Sequence, residues 1–182
     1  MSMSPLNLPN ILSLSRVFLV PVVMVFLTLR TQFGFIEGVS IGDLIAGFIF
    51  IVASITDAAD GYIARKQGQV TTLGKFIDPL ADKIMVVAVL VALVELHRIP
   101  AWMVVIIVAR EFMVTGLRMI AASEGVVIAA SKLGKYKTIS QILGVIALIF
   151  NLPGAIIVMW IAMLLTVLSG ADYLIKSVDM LY

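Results

Sequence analysis

The chain has 182 residues, 62% of them apolar and 13% charged, with no cysteine and a formal net charge of +2. Soluble domains run at about 45–50% apolar and about 25% charged, so an ordinary soluble domain is excluded. The missing cysteines exclude disulfides and thiolate metal sites, and so small a net charge gives no footing for nucleic-acid binding.

A membrane-spanning helix needs about 20 apolar residues, and the apolar runs fit six spans with short connections. The opening MSMSPLNLPN has no Lys or Arg ahead of the first run. It therefore lacks the basic region of a signal peptide, and the first run reads as a retained span behind an interfacial segment, residues 1–10. In this segment Asn7 and Asn10 are candidates for polar contacts or for turn and cap roles. Helices are expected over residues 11–29, 41–64, 76–96, 100–122, 134–150 and 154–176. Turn-rich clusters at 31–38, 68–74, 97–100, 123–131 and 151–154 separate them. No repeat or linker interrupts the chain. The expected fold is all-α: one catalytic domain, residues 1–182, with six transmembrane helices.

Basic residues set the orientation. With both termini cytoplasmic, one side collects Arg16, Arg65, Lys66, Lys75, Lys83, Arg118, Lys132, Lys135, Lys137 and Lys176, and the other only Arg30 and Arg98. The segments joining helices 2 to 3 and 4 to 5 are therefore expected in the cytoplasm, in a multi-pass protein of the plasma membrane. Tyr62, Trp102, Tyr136 and Tyr173 fall near the expected interfaces and read as anchors. His97 falls on the outer side.

Residues 57–82, DAADGYIARKQGQVTTLGKFIDPLAD, hold four aspartates, Asp57, Asp60, Asp78 and Asp82, at the ends of two apolar helices. An ionised group at hydrocarbon depth costs several kcal/mol unless paired or hydrated, and four carboxylates repel one another until cations neutralise them. Asp57 and Asp60 are three apart and Asp78 and Asp82 four apart, so each pair shares a helix face. A short loop makes the two helices antiparallel and brings the pairs to one depth. The result is an all-oxygen site suited to Mg²⁺ or Mn²⁺. Because Mg²⁺ commonly completes its shell with phosphate oxygens, a phosphorylated substrate is expected. Ala58, Ala59, Gly61 and Ala64 permit close approach, and Arg65 can fork onto a diphosphate. Singly, each residue has a plainer reading. Asp78 before Pro79 suits an N-cap, and Arg65 and Lys66 suit topology alone.

The pattern D-x-x-D-G-x-x-A-R-x8-G-x3-D-x3-D, filled by Asp57, Asp60, Gly61, Ala64, Arg65, Gly74, Asp78 and Asp82, resembles the signature of the CDP-alcohol phosphatidyltransferases. The resemblance implies a homodimeric membrane enzyme with two divalent ions. It implies that Asp57, Asp60 and Asp78 hold the metals, and that Asp82 completes the second site and acts as general base. Gly61, Ala64, Arg65 and Gly74 would line the CDP pocket.

The acceptor alcohol has to be read elsewhere. Arg110 and Glu111 lie inside an apolar run, with Arg118 two turns on. The two arginines fall within about 80° of each other on a helix. The segment SKLGKYKT adds Lys132, Lys135 and Lys137. Converging cations suggest an acceptor carrying a phosphate, with Arg110, Arg118, Lys135 and Lys137 as its contacts. An internal Arg110–Glu111 ion pair and lysines obeying only the positive-inside rule would give the same pattern. The segments LNLPNILSLSRVFLVPVV and REFMVTGLRMIAASEGVVIAASKLGKYKT are also similar to the branch that joins CDP-diacylglycerol to glycerol 3-phosphate. Other acceptors (inositol phosphate, serine, phosphatidylglycerol) share the same signature. A small cation- or proton-coupled transporter is the rival from another class, but it would place its carboxylates near the midplane, often between inverted repeats.

Overall fold

In a computed structural model of the protein, backbone is described for residues 8–67, 72–123 and 132–181, and side chains for residues 15–56, 83–123 and 133–175. The fold is all-helical, as expected. Its six helices are α1 (Leu8–Thr28), α2 (Ile41–Gln67), α3 (Thr72–Glu95), α4 (Ala101–Ser123), α5 (Lys132–Ile149) and α6 (Ala155–Leu181). Four boundaries depart from the expectation by three residues or more: α1 begins at Leu8 rather than residue 11, α2 ends at Gln67 rather than 64, α3 begins at Thr72 rather than 76, and α6 ends at Leu181 rather than 176. Among the described residues, Ala155–Ile175 is long and apolar enough to cross a membrane, with shorter apolar stretches at Ser15–Thr28 and Ile41–Thr56. In α4, by contrast, charged residues interrupt the apolar run.

The residues fall into two compact units, 1–96 and 97–182. In the first, α1 packs on both α2 and α3. Its core joins Val23 and Leu27 to Ala46 and Phe50 and to Val89, Leu90 and Leu93, all essentially inaccessible. Between α1 and α2 the sequence suggested only a turn. The chain instead forms a short 3-10 turn (Arg30–Phe33) and a hairpin of β1 (Phe35–Ile36) and β2 (Val39–Ser40). Ile36 pairs with Val39, leaving Glu37 and Gly38 as a two-residue loop, both at positive φ (50° and 84°). That is the type I′ geometry whose twist matches a hairpin.

Ser40 ends the hairpin and caps α2. Its Oγ accepts from the Gly42 amide at 3.1 Å and donates to the Arg30 carbonyl at 2.6 Å. Arg30 returns to donate to the Asp43 carboxylate at 2.9 Å, so a carboxylate sits in the first turn of the helix, where the dipole favours it. The same corner explains Gly42. A Cβ there would lie 2.3 Å from the Phe26 carbonyl oxygen and 2.7 Å from the Arg30 Cα, so α1 and α2 meet backbone to backbone.

In the second unit α6 packs on α4 and on α5, around Met103, Ile107, Val145, Ile149, Met159 and Ala162. The turn between α5 and α6 closes with paired bonds, Leu152 N–H to Ala147 O and Asn151 N–H to Leu148 O, with Asn151 at φ 50°. This is a Schellman ending with Asn in the left-handed position. Arg98 then donates to the Leu148 and Ile149 carbonyls at 3.1 and 2.5 Å, satisfying acceptors that a helix end leaves open.

Many large apolar side chains face outward in both units. Phe18, Phe48, Ile55, Val105, Ile157, Leu164 and Ile175 are all exposed, far beyond what a water-facing surface carries. Helix hydroxyls turn inward to their own backbone: Ser54, Thr56, Thr115, Thr138 and Thr166 each donate to the carbonyl four residues back. Such back-bonding satisfies each hydroxyl within its own helix.

The Gly42 contact gives a direct test. Gly42→Ala is expected to cost about 1–3 kcal/mol by overpacking, read as a lowered unfolding midpoint in detergent. Gly116→Ala in α4, where an added methyl meets nothing within 4 Å, is expected to leave the midpoint unchanged or raise it. Equal effects at the two positions would contradict the close approach of α1 and α2.

Candidate functional site

The backbone carries Asp57, Asp60, Gly61, Ala64 and Arg65 on α2 and Gly74, Asp78 and Asp82 on α3. Their side chains lie outside the described residues. Asp78 and Pro79 fall well within α3 (Thr72–Glu95), so Asp78 is not the N-cap that its sequence context also allowed. Consecutive helices separated by residues 68–71 bear the aspartates. Among the described residues no group of three or more His, Cys, Asp or Glu could hold a metal. A divalent ion fits this donor set by its chemistry, since the eight signature positions offer four carboxylates and neither thiol nor imidazole.

The second candidate region is a polar network inside the unit formed by α4, α5 and α6. Glu111 is its centre. One carboxylate oxygen, Oε1, accepts from Arg110 Nη1 at 3.0 Å and from Lys137 Nζ at 2.5 Å. All three side chains are largely buried, with exposures of 11%, 14% and 6% for Arg110, Glu111 and Lys137. Arg110 also donates from Nη2 to Ser169 Oγ at 2.8 Å, and Ser169 passes its own proton to the Thr166 carbonyl at 3.1 Å. Gly170 leaves the room in which Arg110 lies, because a Cβ there would stand 3.0 Å from its Cγ and 3.4 Å from its Nε. Glu111 thus binds α4 to α5, and Ser169 binds α4 to α6. The Glu111 carboxylate gathers two cations in a largely buried place, where the dielectric is low and charge acts strongly.

Two turns along α4, Arg118 donates from Nε to the Tyr173 hydroxyl at 3.1 Å, and its guanidinium lies 5.1 Å from the Tyr173 ring centre. The pairs Arg110–Ser169 and Arg118–Tyr173 rise together in number, so α4 and α6 run the same way. Gln141 donates to Thr166 at 3.3 Å, while Gly144 abuts Met159, so α5 runs opposite to α6. Lys135 is exposed, unlike Lys137. The side chain of Lys132 lies outside the described residues.

The expected acceptor cations therefore divide. Arg110 forms the internal ion pair with Glu111 that the sequence left open, and Lys137 joins the same carboxylate, a pairing the sequence did not suggest, whereas Arg118 and Lys135 are not tied to Glu111 by these bridges. Sequence reasoning missed Gln141, Thr166 and Ser169, and misplaced Tyr173. The last was expected as an interfacial anchor but is 3% exposed, because Arg118 engages both its hydroxyl and its ring. A signal was present: Thr166, Ser169, Gly170 and Tyr173 occupy one stripe of a helix that is apolar from Ala155 to Leu165. The anchor reading suits Trp102 better, since its ring lies 5.3 Å from that of Trp160 and both are half-exposed. Tyr136 is exposed, and Tyr62 lies outside the described side chains.

Residues 6–168 match the CDP-alcohol phosphatidyltransferase family. The chain is similar to the CDP-diacylglycerol--glycerol-3-phosphate 3-phosphatidyltransferase of Bacillus subtilis, at 43% identity covering 94% of this chain and 95% of that protein. It is also similar to the Rickettsia typhi protein of the same name, at 35% identity covering 92% of this chain and 94% of that one.

Removing the shared anion should be costlier than removing one of its cations. Glu111→Ala leaves Arg110 and Lys137 buried without it and is expected to destabilise by about 3–5 kcal/mol. Lys137→Met, which leaves Arg110 on Glu111, is expected to cost clearly less. Thermal unfolding of both variants in one detergent checks the order, and the reverse order would contradict Glu111 as the centre of the network.

Proposed function

The chain belongs to the CDP-alcohol phosphatidyltransferase family, and on that premise we propose that it transfers a phosphatidyl group from CDP-diacylglycerol to sn-glycerol 3-phosphate, giving phosphatidylglycerophosphate and CMP. The observation that carries this reading is the similarity to relatives named for that reaction over nearly the full length of both chains. The unbroken eight-position pattern from Asp57 to Asp82 supports it.

In this reading an acceptor hydroxyl oxygen bonds to the phosphatidyl phosphorus while the bond from that phosphorus to the CMP oxygen breaks. Asp82 takes the hydroxyl proton, a task suited to a carboxylate within reach of the acceptor. Asp57, Asp60, Asp78 and Asp82 would hold two divalent ions, Mg²⁺ or Mn²⁺, which when bound neutralise diphosphate charge. Arg65 pairs with the diphosphate through its fork of donors, and Gly61, Ala64 and Gly74 leave room for the cytidine nucleotide. No Cys is present, and no Ser occupies a signature position, so a single in-line displacement needs no covalent intermediate.

The acceptor's phosphate falls to the cations of α4 and α5. Arg118 and Lys135 contact it in this reading, and Arg110 and Lys137 add their positive charge. A neutral or zwitterionic acceptor such as serine would not need that concentration of cations. The exposed apolar faces and the ten-to-two distribution of basic residues support a multi-pass protein of the plasma membrane. Both termini and the aspartate segment then face the cytoplasm, and a homodimer is the assembly that the family resemblance implies.

The test is CMP release by the purified protein given CDP-diacylglycerol and glycerol 3-phosphate. Chelation is expected to stop release and added Mg²⁺ or Mn²⁺ to restore it. Asp82→Asn is expected to lower kcat by about 10²–10⁴-fold, the range for loss of a general base, and Asp78→Asn to abolish turnover. Undiminished turnover in either folded variant, or after chelation, would overturn these assignments.

A further inference from the structure

The acceptor reading leaves open what holds the two α4 arginines in place. Each is met by α6. Ser169 Oγ accepts from Arg110 Nη2 at 2.8 Å, Gly170 clears the space for the Arg110 stem, and the Tyr173 hydroxyl accepts from Arg118 Nε at 3.1 Å. Ser169 and Tyr173 are 0% and 3% exposed, so these are built contacts and not surface coincidences. Ser169, Gly170 and Tyr173 follow the spacing of a single helix face, and that face lies against α4.

The atoms used at the two arginines differ, and the difference matters. Arg110 spends both terminal nitrogens, Nη1 on Glu111 and Nη2 on Ser169, which fixes it as a charge. Arg118 is held through Nε and through its ring contact with Tyr173. Among the described residues no partner takes its Nη1 or Nη2. These two nitrogens are one edge of the guanidinium fork, the edge that pairs with two oxygens of a phosphate or carboxylate.

We propose that Ser169, Gly170 and Tyr173 are positioning residues, a stripe on α6 that locks Arg110 as fixed charge and presents the terminal edge of Arg118 to the phosphate of the acceptor. This rests on the reading of Arg118 as an acceptor contact. Tyr173 acts through Arg118 and Ser169 through Arg110, and neither touches substrate. Their effect belongs to acceptor recognition, so it should appear in KM for glycerol 3-phosphate and leave the chemical step and the lipid donor alone.

The experiment compares Tyr173→Phe, Ser169→Ala and Arg118→Ala in the full-length protein in nanodiscs, with KM and kcat measured for each substrate. Tyr173→Phe keeps the ring under Arg118 and removes only the acceptor oxygen. It is expected to raise KM for glycerol 3-phosphate about tenfold, as loss of a hydrogen bond to a charged group does, with kcat and KM for CDP-diacylglycerol within about twofold. Ser169→Ala is expected to act in the same direction. A raised KM in Arg118→Ala with none in Tyr173→Phe and Ser169→Ala would overturn the stripe and leave the acceptor assignment standing. An unchanged KM in Arg118→Ala would overturn that assignment and the inference with it. Loss of folding in both α6 variants, with Arg118→Ala still folded, would make the stripe a packing element and also overturn the proposal.

Discussion

The constraint on which the structure depends is the cost of keeping charge where water does not reach. Many large apolar side chains face outward as well as inward, and an unpaired buried charge costs several kcal/mol. Glu111 answers this within the second unit, joining Arg110 and Lys137 on one oxygen and so tying α4 to α5, while Arg110 reaches Ser169 on α6. Arg30 and Asp43 answer it at the start of α2, and Arg98 does so by donating to the carbonyls that end α5. Almost every ion in the described interior also fastens one element to another.

The same economy shapes the neutral polar groups. Hydroxyls of Ser54, Thr56, Thr115, Thr138 and Thr166 bond to backbone within their own helices, while Ser40 and Ser169 reach across to a different element. Those that reach across mark where position matters. Ser40 sets the start of α2, the helix on which Asp57, Asp60 and Arg65 lie. Ser169 sets Arg110. Small residues allow these approaches, Gly42 for the α1–α2 corner and Gly170 for the stem of Arg110. Without a Cβ to hold the helices apart, short hydrogen bonds can form between them.

Much of this was legible in the sequence. Long apolar runs and turn clusters give six helices because each pattern is local, and the boundary errors fall at the starts of α1 and α3 and at the ends of α2 and α6. The aspartate pattern was legible because spacing within a segment of 26 residues survives without knowledge of the fold. What escaped was set by partners far away in sequence. Nothing local distinguishes Tyr173 as a buried partner of Arg118 from Tyr173 as an interfacial anchor, since 55 positions separate the pair. Lys137 looked like a topology signal or a ligand, and its burial on Glu111 depends on how α5 packs. The Glu37–Gly38 hairpin was legible only as a break, because two paired residues per strand leave no periodicity to read.

The most direct measurement of the account is a competition among acceptors. The purified protein would receive CDP-diacylglycerol together with equal concentrations of glycerol 3-phosphate, inositol 1-phosphate, serine and phosphatidylglycerol, and the lipid products would be identified by mass spectrometry. The account predicts phosphatidylglycerophosphate as the dominant product, because cations placed on α4 and α5 select a phosphate-bearing acceptor and the relatives in hand are named for glycerol 3-phosphate. Phosphatidylserine or cardiolipin as the main product would contradict the acceptor assignment, and no lipid product from a folded protein would contradict the proposed transfer altogether.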